Sequence, residues 1–180
     1  IARDDTERRM ALEAIEPHWE GHQVWFILGG GAVFAAWPML YAASFSGFYF
    51  AMLLVLLALI LRPVGFNFRN KVDNPRWRNA WDWALTISGT VPSLVFGVAF
   101  GNLFLGVPFH YTDTLRPVYD GSFLALFHPF ALLAGVVSLA MLVMHGAMFA
   151  AMKIEGGVGD RARVVARVAA LATLAAFVAA

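Results

Sequence analysis

The sequence predicts an all-α fold: a polytopic transmembrane bundle of about five membrane helices in one domain over residues 1–180. Three observations carry this. Gly21 to Leu61 runs 41 residues without Asp, Glu, Lys or Arg. Two further long runs, Trp83 to Thr112 and Gly121 to Met152, lack the same four types. Sixty per cent of residues are hydrophobic and 14% charged, against about 25% charged in ordinary globular chains. A net charge of +1 gives no electrostatic case for nucleic acid, and the absence of cysteine removes disulfides and thiolate metal sites. The chain begins with Ile1, within a polar segment, and stops inside an apolar run, Val168 to Ala180. It reads as a fragment of a longer polytopic protein.

A short helix from about Thr6 to Glu16 is expected first, with Thr6 as its cap. Arg9 stands where the acid of a full capping box would be. The long uncharged run then needs two spans, because a bilayer core of ~30 Å takes about 20 helical residues. These are predicted at 21–38 and 40–61. Trp37-Pro38 marks the reversal, since proline lacks an amide donor and disfavours helix in the residue before it. Three more spans follow at 80–105, 128–152 and 164–180. Orientation comes from Lys and Arg, which favour short cytoplasmic loops. Arg62 to Asp82 carries five of them and Lys153 to Arg167 four, while Thr112 to Asp120 carries only Arg116. The first two segments, and residues 1–20, therefore belong inside, and the third outside. Gly89, Ser93, Gly97 and Gly101 recur every four residues, a spacing that lets helices approach closely in lipid. Gly29-Gly30-Gly31 has no preceding strand, so it reads as close packing and not as a phosphate loop.

The segment richest in chemistry is Pro17-His18-Trp19-Glu20-Gly21-His22-Gln23. Pro17 suits the first turn of a helix, and Glu20 then falls where the helix dipole favours a carboxylate. Such a group can exchange protons with water and pass them to polar neighbours, here His18, His22 and Gln23. The competing reading is an ordinary interfacial acid beside an aromatic anchor, Trp19, and residue types alone lean that way. His18 and His22, four apart, share a helix face, but no third metal ligand is evident. His145, within the fourth span, suits a haem ligand, a proton group or a hydrogen-bonded interior residue, the last being favoured. His110 and His128, near the outer boundary, are weaker candidates. Asp82, at the edge of an uncharged run, fits an interfacial ion pair better than a polar path.

The chain also resembles subunit II of the cytochrome bd-type quinol oxidases, including the cyanide-insensitive branch. The matching stretches run in order along most of the chain: Asp5-Thr-Glu-Arg-Arg9, Ile15-Glu-Pro-His-Trp-Glu-Gly-His-Gln-Val-Trp25, Gly30-Gly-Ala-Val-Phe-Ala-Ala-Trp-Pro-Met39, Phe45-Ser-Gly-Phe-Tyr49, Arg62-Pro-Val-Gly-Phe66, Arg76-Trp-Arg-Asn-Ala-Trp-Asp-Trp83, Gly97-Val-Ala-Phe-Gly-Asn102 and Leu133-Ala-Gly-Val-Val-Ser138. The resemblance implies a haem-free accessory subunit in a bacterial or archaeal plasma membrane, surrounded by lipid. Its partner, subunit I, would carry haem b and haem d and oxidise quinol, while the complex reduces dioxygen to water. It further implies a cytoplasmic proton route at Trp19 and Glu20, with His18 beside it and Asp82 in a supporting role. Better-known members have Asp where this chain has Glu20. A quinone tail at the lipid-facing surface is a family possibility with no position assigned. The two readings from other classes are a proton-coupled transporter and a haem-binding membrane cytochrome using His18, His22 or His145.

Overall fold

The computed structural model describes all residues, 1–180. Helix α1 (Asp5–Ala36) is followed by α2 (Pro38–Gly47), α3 (Tyr49–Phe68) and α4 (Pro75–Leu105). A small hairpin, β1 (Phe109–Tyr111) and β2 (Pro117–Tyr119), and a 3-10 turn at Phe123–Phe127 come next. Helices α5 (Pro129–Lys153) and α6 (Gly157–Val178) complete the chain.

The short helix and the first span prove to be one helix. Asp4, not Thr6, caps α1, accepting the Glu7 amide at 2.8 Å. Pro17 lies inside α1. It removes only the bond to the Glu13 carbonyl, on an exposed stretch where water can take that acceptor. The reversal falls at Trp37-Pro38 as expected. Trp37 is non-helical (φ −137°, ψ 68°), Pro38 opens α2, and the axes of α1 and α2 differ by 119°. The second expected span is broken again at Phe48, between α2 and α3.

Helices α3, α4 and α5 are each long and apolar enough to cross a membrane, and the bent pair α1–α2 meets the same length and composition only when its two helices are taken together. The fifth expected segment is helical as α6, but Arg161, Arg163 and Arg167 leave its uncharged part to begin at Val168. Beyond the helices, antiparallel pairing of His110 with Val118 orders the loop assigned to the outside. His110 Nδ1 also meets Asp120 at 2.8 Å, and the His128 side chain caps α5 by accepting the Phe130 amide.

The tightest packing lies between α4 and α5. A Cβ added to Gly97 would stand 2.6 Å from the Ser138 Cβ and 2.7 Å from the Gly135 Cα. One added to Gly101 would stand 2.7 Å from the Ala131 Cα. Gly97 and Gly101 of the small-residue repeat therefore make a close helix–helix contact, while Gly89 meets only the Arg62 guanidinium, at 3.9 Å. The Gly29-Gly30-Gly31 run corrects its expectation. Apart from α1 itself, nothing in the chain comes within 4 Å of a Cβ at any of the three, and although Phe26 stacks on Phe96, the nearby Trp25 and Ile27 are each 71% exposed.

Candidate functional site

Helix α1 delivers His18, Trp19 and Glu20 in succession, about 100° apart around its axis, so they face three ways. Trp19 turns inward and stacks on Phe66 of α3, with ring centroids 5.5 Å apart and planes 12° from parallel. His18 meets the edge of Phe149 on α5 at 5.5 Å. Glu20 points outward, exposed, with no hydrogen bond or ion pair from the chain. It also lies mid-helix and not in a first turn, so the expected dipole support is absent. Asp5 and Glu7 hold that position instead.

Behind Trp19 is a cavity of about 250 Å³ between α1, α3 and α4. Its polar wall is His22, Arg62 and Ser88, and Phe66 and Leu85 supply apolar wall. Arg62 Nη2 donates to the Ser88 carbonyl oxygen at 3.2 Å and meets no carboxylate. Near the same part of α1, Gln23 Oε1 is buried without a partner. Reading the sequence treated Arg62 only as the start of a positive loop. The signal that placed it was available: Arg62 and Phe66 are one helical turn apart and share a face.

Asp82 belongs to a different site. It accepts from Arg69 Nε and, at 2.9 Å, from Arg8 Nη1. Arg69 is fully buried and also donates to Asp5 at 2.7 Å. Arg78 joins Asp5 at 3.1 Å to Asp73 at 2.6 Å. This cluster borders a cleft of about 550 Å³ between α1 and α4, lined by Arg8, Asn79, Asp82 and Thr86 among others. The ion-pair reading of Asp82 holds, and Asp82 does not meet Glu20. Its α1 partner, Arg8, lies about 18 Å along the helix from Glu20. The hydrogen bond from Arg69 and its positive charge hold the Asp5 carboxyl below its ordinary value of 3.8. The bond from Asp82, reinforced by Asp5, makes Arg69 still harder to deprotonate.

The histidines do not converge. His22 alone lines one of the main cavities, and His18 lies against Phe149. His145 corrects its favoured reading as a hydrogen-bonded interior group: it is exposed and makes no hydrogen bond, because the buried face of α5 runs through Ala131, Gly135 and Ala147. No group of three or more His, Asp or Glu side chains gathers at one metal-sized point.

Long apolar helices joined by a close small-residue seam, with ion pairs gathered at one end, define a polytopic membrane protein. Within that class, the family model described as cytochrome bd terminal oxidase subunit II matches residues 1–180, and the chain belongs to that family. It is 55% identical over 98% of its length to "Cytochrome bd-I ubiquinol oxidase subunit 2" of Escherichia coli, covering 47% of that protein. It is 56% identical over 99% of its length to "Probable cytochrome oxidase subunit 2" of Haemophilus influenzae, again covering 47%. With "Cytochrome bd ubiquinol oxidase subunit 2" of Bacillus subtilis it shares 35% identity over 93% of its length, covering 48%. The chain spans about half the length of the curated relatives it matches.

Proposed function

We propose that this chain works as part of the haem-free subunit of a quinol-oxidising, oxygen-reducing complex in a bacterial inner membrane. In this reading it braces the haem-bearing subunit I and admits protons from the cytoplasmic side. Haem b and haem d, bound in that partner, would carry electrons from quinol to dioxygen. The residues of this chain would supply proton access. Glu20 takes a proton from water at the exposed face of α1. The cavity bounded by Trp19, His22, Arg62 and Ser88 gives that proton a polar station inside the bundle. His18, wedged against Phe149, and Asp82, tied to Arg69, hold α1 in place around it.

One observation supports the proposal: a carboxylate with no partner in the chain stands exposed on α1, one residue from the tryptophan that walls a polar cavity. An ionisable group at the membrane boundary, one residue from such a cavity, suits proton entry. Replacing Glu20 by Gln keeps the shape and removes the titratable proton. Oxygen consumption by the purified complex should fall by about 10²-fold, the lower end of what a positioned proton-transfer group supplies. Assembly and the haem spectrum should be retained, and Glu20→Asp should restore most of the rate. Wild-type rates for Glu20→Gln at every pH tested would end the proton-uptake role.

A further inference from the structure

Between the basic ends of α5 and α6 lies an open groove of about 640 Å³ that the proton-uptake reading does not use. Met144, Met148 and Met152 of α5 form one wall, and Ala170 of α6 closes its inner end. Arg163 and Arg167 of α6 stand over it, four residues apart and so on one face. Arg163 is bound only to Asp160, at 2.6 Å, and its side chain is 60% exposed. Arg167 makes no hydrogen bond or ion pair within the chain.

We propose that this groove holds an anionic phospholipid, with its phosphodiester between Arg163 and Arg167 and one acyl chain along the methionines. The assignment rests on the membrane placement of the chain and is independent of Glu20. Two observations select this occupant. First, the groove joins charged and apolar surface at the end of α6 where its charges stop. Met152 ends the uncharged run that begins at Gly121, and Arg167 is the last charged residue before the uncharged run from Val168. The long arginine side chains can reach up toward headgroups, while the groove runs down to Met144 and Ala170. Second, the charge is complementary and unspent. Guanidinium groups bind phosphate oxygens in pairs, and basic pockets between membrane helices on the cytoplasmic side take anionic headgroups. From Arg163 to Ala170 the groove descends about 10 Å along α6, enough for the upper part of an acyl chain. Flexible methionine side chains adapt to such a chain without a fixed shape.

The test uses the whole oxidase complex in mixed micelles of phosphatidylglycerol and phosphatidylcholine, with bound lipid counted by native mass spectrometry. The wild-type complex should retain phosphatidylglycerol selectively. Arg163→Gln with Arg167→Gln should lower that retention by roughly tenfold or more, as loss of two headgroup-level charges implies. Met148→Trp, which fills the floor and leaves both arginines, should lower it as well, while phosphatidylcholine binding stays unchanged. Unchanged phosphatidylglycerol retention in both variants would overturn the proposal. So would displacement of the lipid by inorganic phosphate alone, which would mark a site for a free anion. A third contrary result is a Met152→Cys thiol that maleimide cannot label in delipidated complex, meaning that another polypeptide segment covers the groove. Lipid counting does not depend on turnover, so a failure here is distinct from a failure of the Glu20 role.

Discussion

The α4–α5 seam and the basic end of α1 join helices by opposite means. Along the seam, Gly97 and Gly101 bring backbones together against Ala131, Ala134 and Ser138, and dispersion over close surfaces does the holding. Helix α1 buries no residue at all. It is attached by charge, through Asp5 to Arg69 and Arg78, Arg8 to Asp82, and Glu7 to Arg161 at 2.6 Å. Aromatic contacts add to this, Trp19 on Phe66 and Phe26 on Phe96 at 5.4 Å. The difference follows from environment. In hydrocarbon there is no hydrophobic gain from pairing apolar helices, so small residues and close fit must do the work. At the basic end Arg69 is fully buried, but its partners Asp5 and Asp82 stay 47% and 20% exposed, so only one member of each pair is fully desolvated.

The sharpest way to break this comparison is to remove Arg69. Arg69→Met leaves Asp82 with only Arg8 and Asp5 with only Arg78. The charge-assisted hydrogen bonds to Asp5 and Asp82 that it removes are worth about 1.5–3 kcal/mol each. Thermal unfolding of the purified complex should report that loss, with limited proteolysis showing α1 released first. A cost below about 1 kcal/mol would class the cluster with ordinary surface pairs. Next in size is the seam. Gly97→Val forces a side chain into the Ser138 and Gly135 contacts and should cost about 1–3 kcal/mol. Gly89→Ala, where the nearest atom is the Arg62 guanidinium at 3.9 Å, should be tolerated, and equal sensitivity at both positions would deny the seam its special role.

Acid separates the two regions without mutation. Bonds from Arg69 lower the Asp5 pKa, and bonds from the Arg3 amide and Arg161 lower that of Glu7. A carboxyl depressed in the folded state stabilises above its unfolded value and loses that stabilisation as pH falls through the folded one. Attachment of α1 should therefore weaken below the ordinary values of 3.8 and 4.5, while the uncharged seam holds. Proteolysis of α1 as a function of pH measures this, and simultaneous loss of both regions would contradict it. The smallest effect belongs to the exposed pair Arg9–Glu13. Arg9→Ala should shift stability by less than about 0.5 kcal/mol.

Much of this was legible in the chain. Uncharged runs marked the apolar helices, Trp37-Pro38 marked the reversal, and the four-residue spacing of small residues marked the seam. Other features were hidden for physical reasons. Pro17 looked like a helix start because proline favours a first turn, yet an interior proline is tolerated where water takes the freed carbonyl. That reading put Glu20 in a first turn, whereas the structure holds it mid-helix. Arg69 looked like one loop cation among several, because its burial depends on Asp5 and Asp82, which are 64 and 13 residues away in sequence. His145 looked interior because intramembrane histidines usually face inward, and only the packed face of α5 shows that it does not.

The sequence by itself determined the membrane class, the reversal at Trp37-Pro38 and the family, since charge spacing and local motifs are properties of the chain read in one dimension. Tertiary structure decided which charges meet and which side chains wall a cavity. Asp82 went to Arg69, and Trp19 to Phe66 beside Arg62. These depend on the relative rotation of helices, which side-chain packing sets and sequence spacing does not state. The exposed face of Glu20 was decided in the same way, by where α1 lies against α3 and α4.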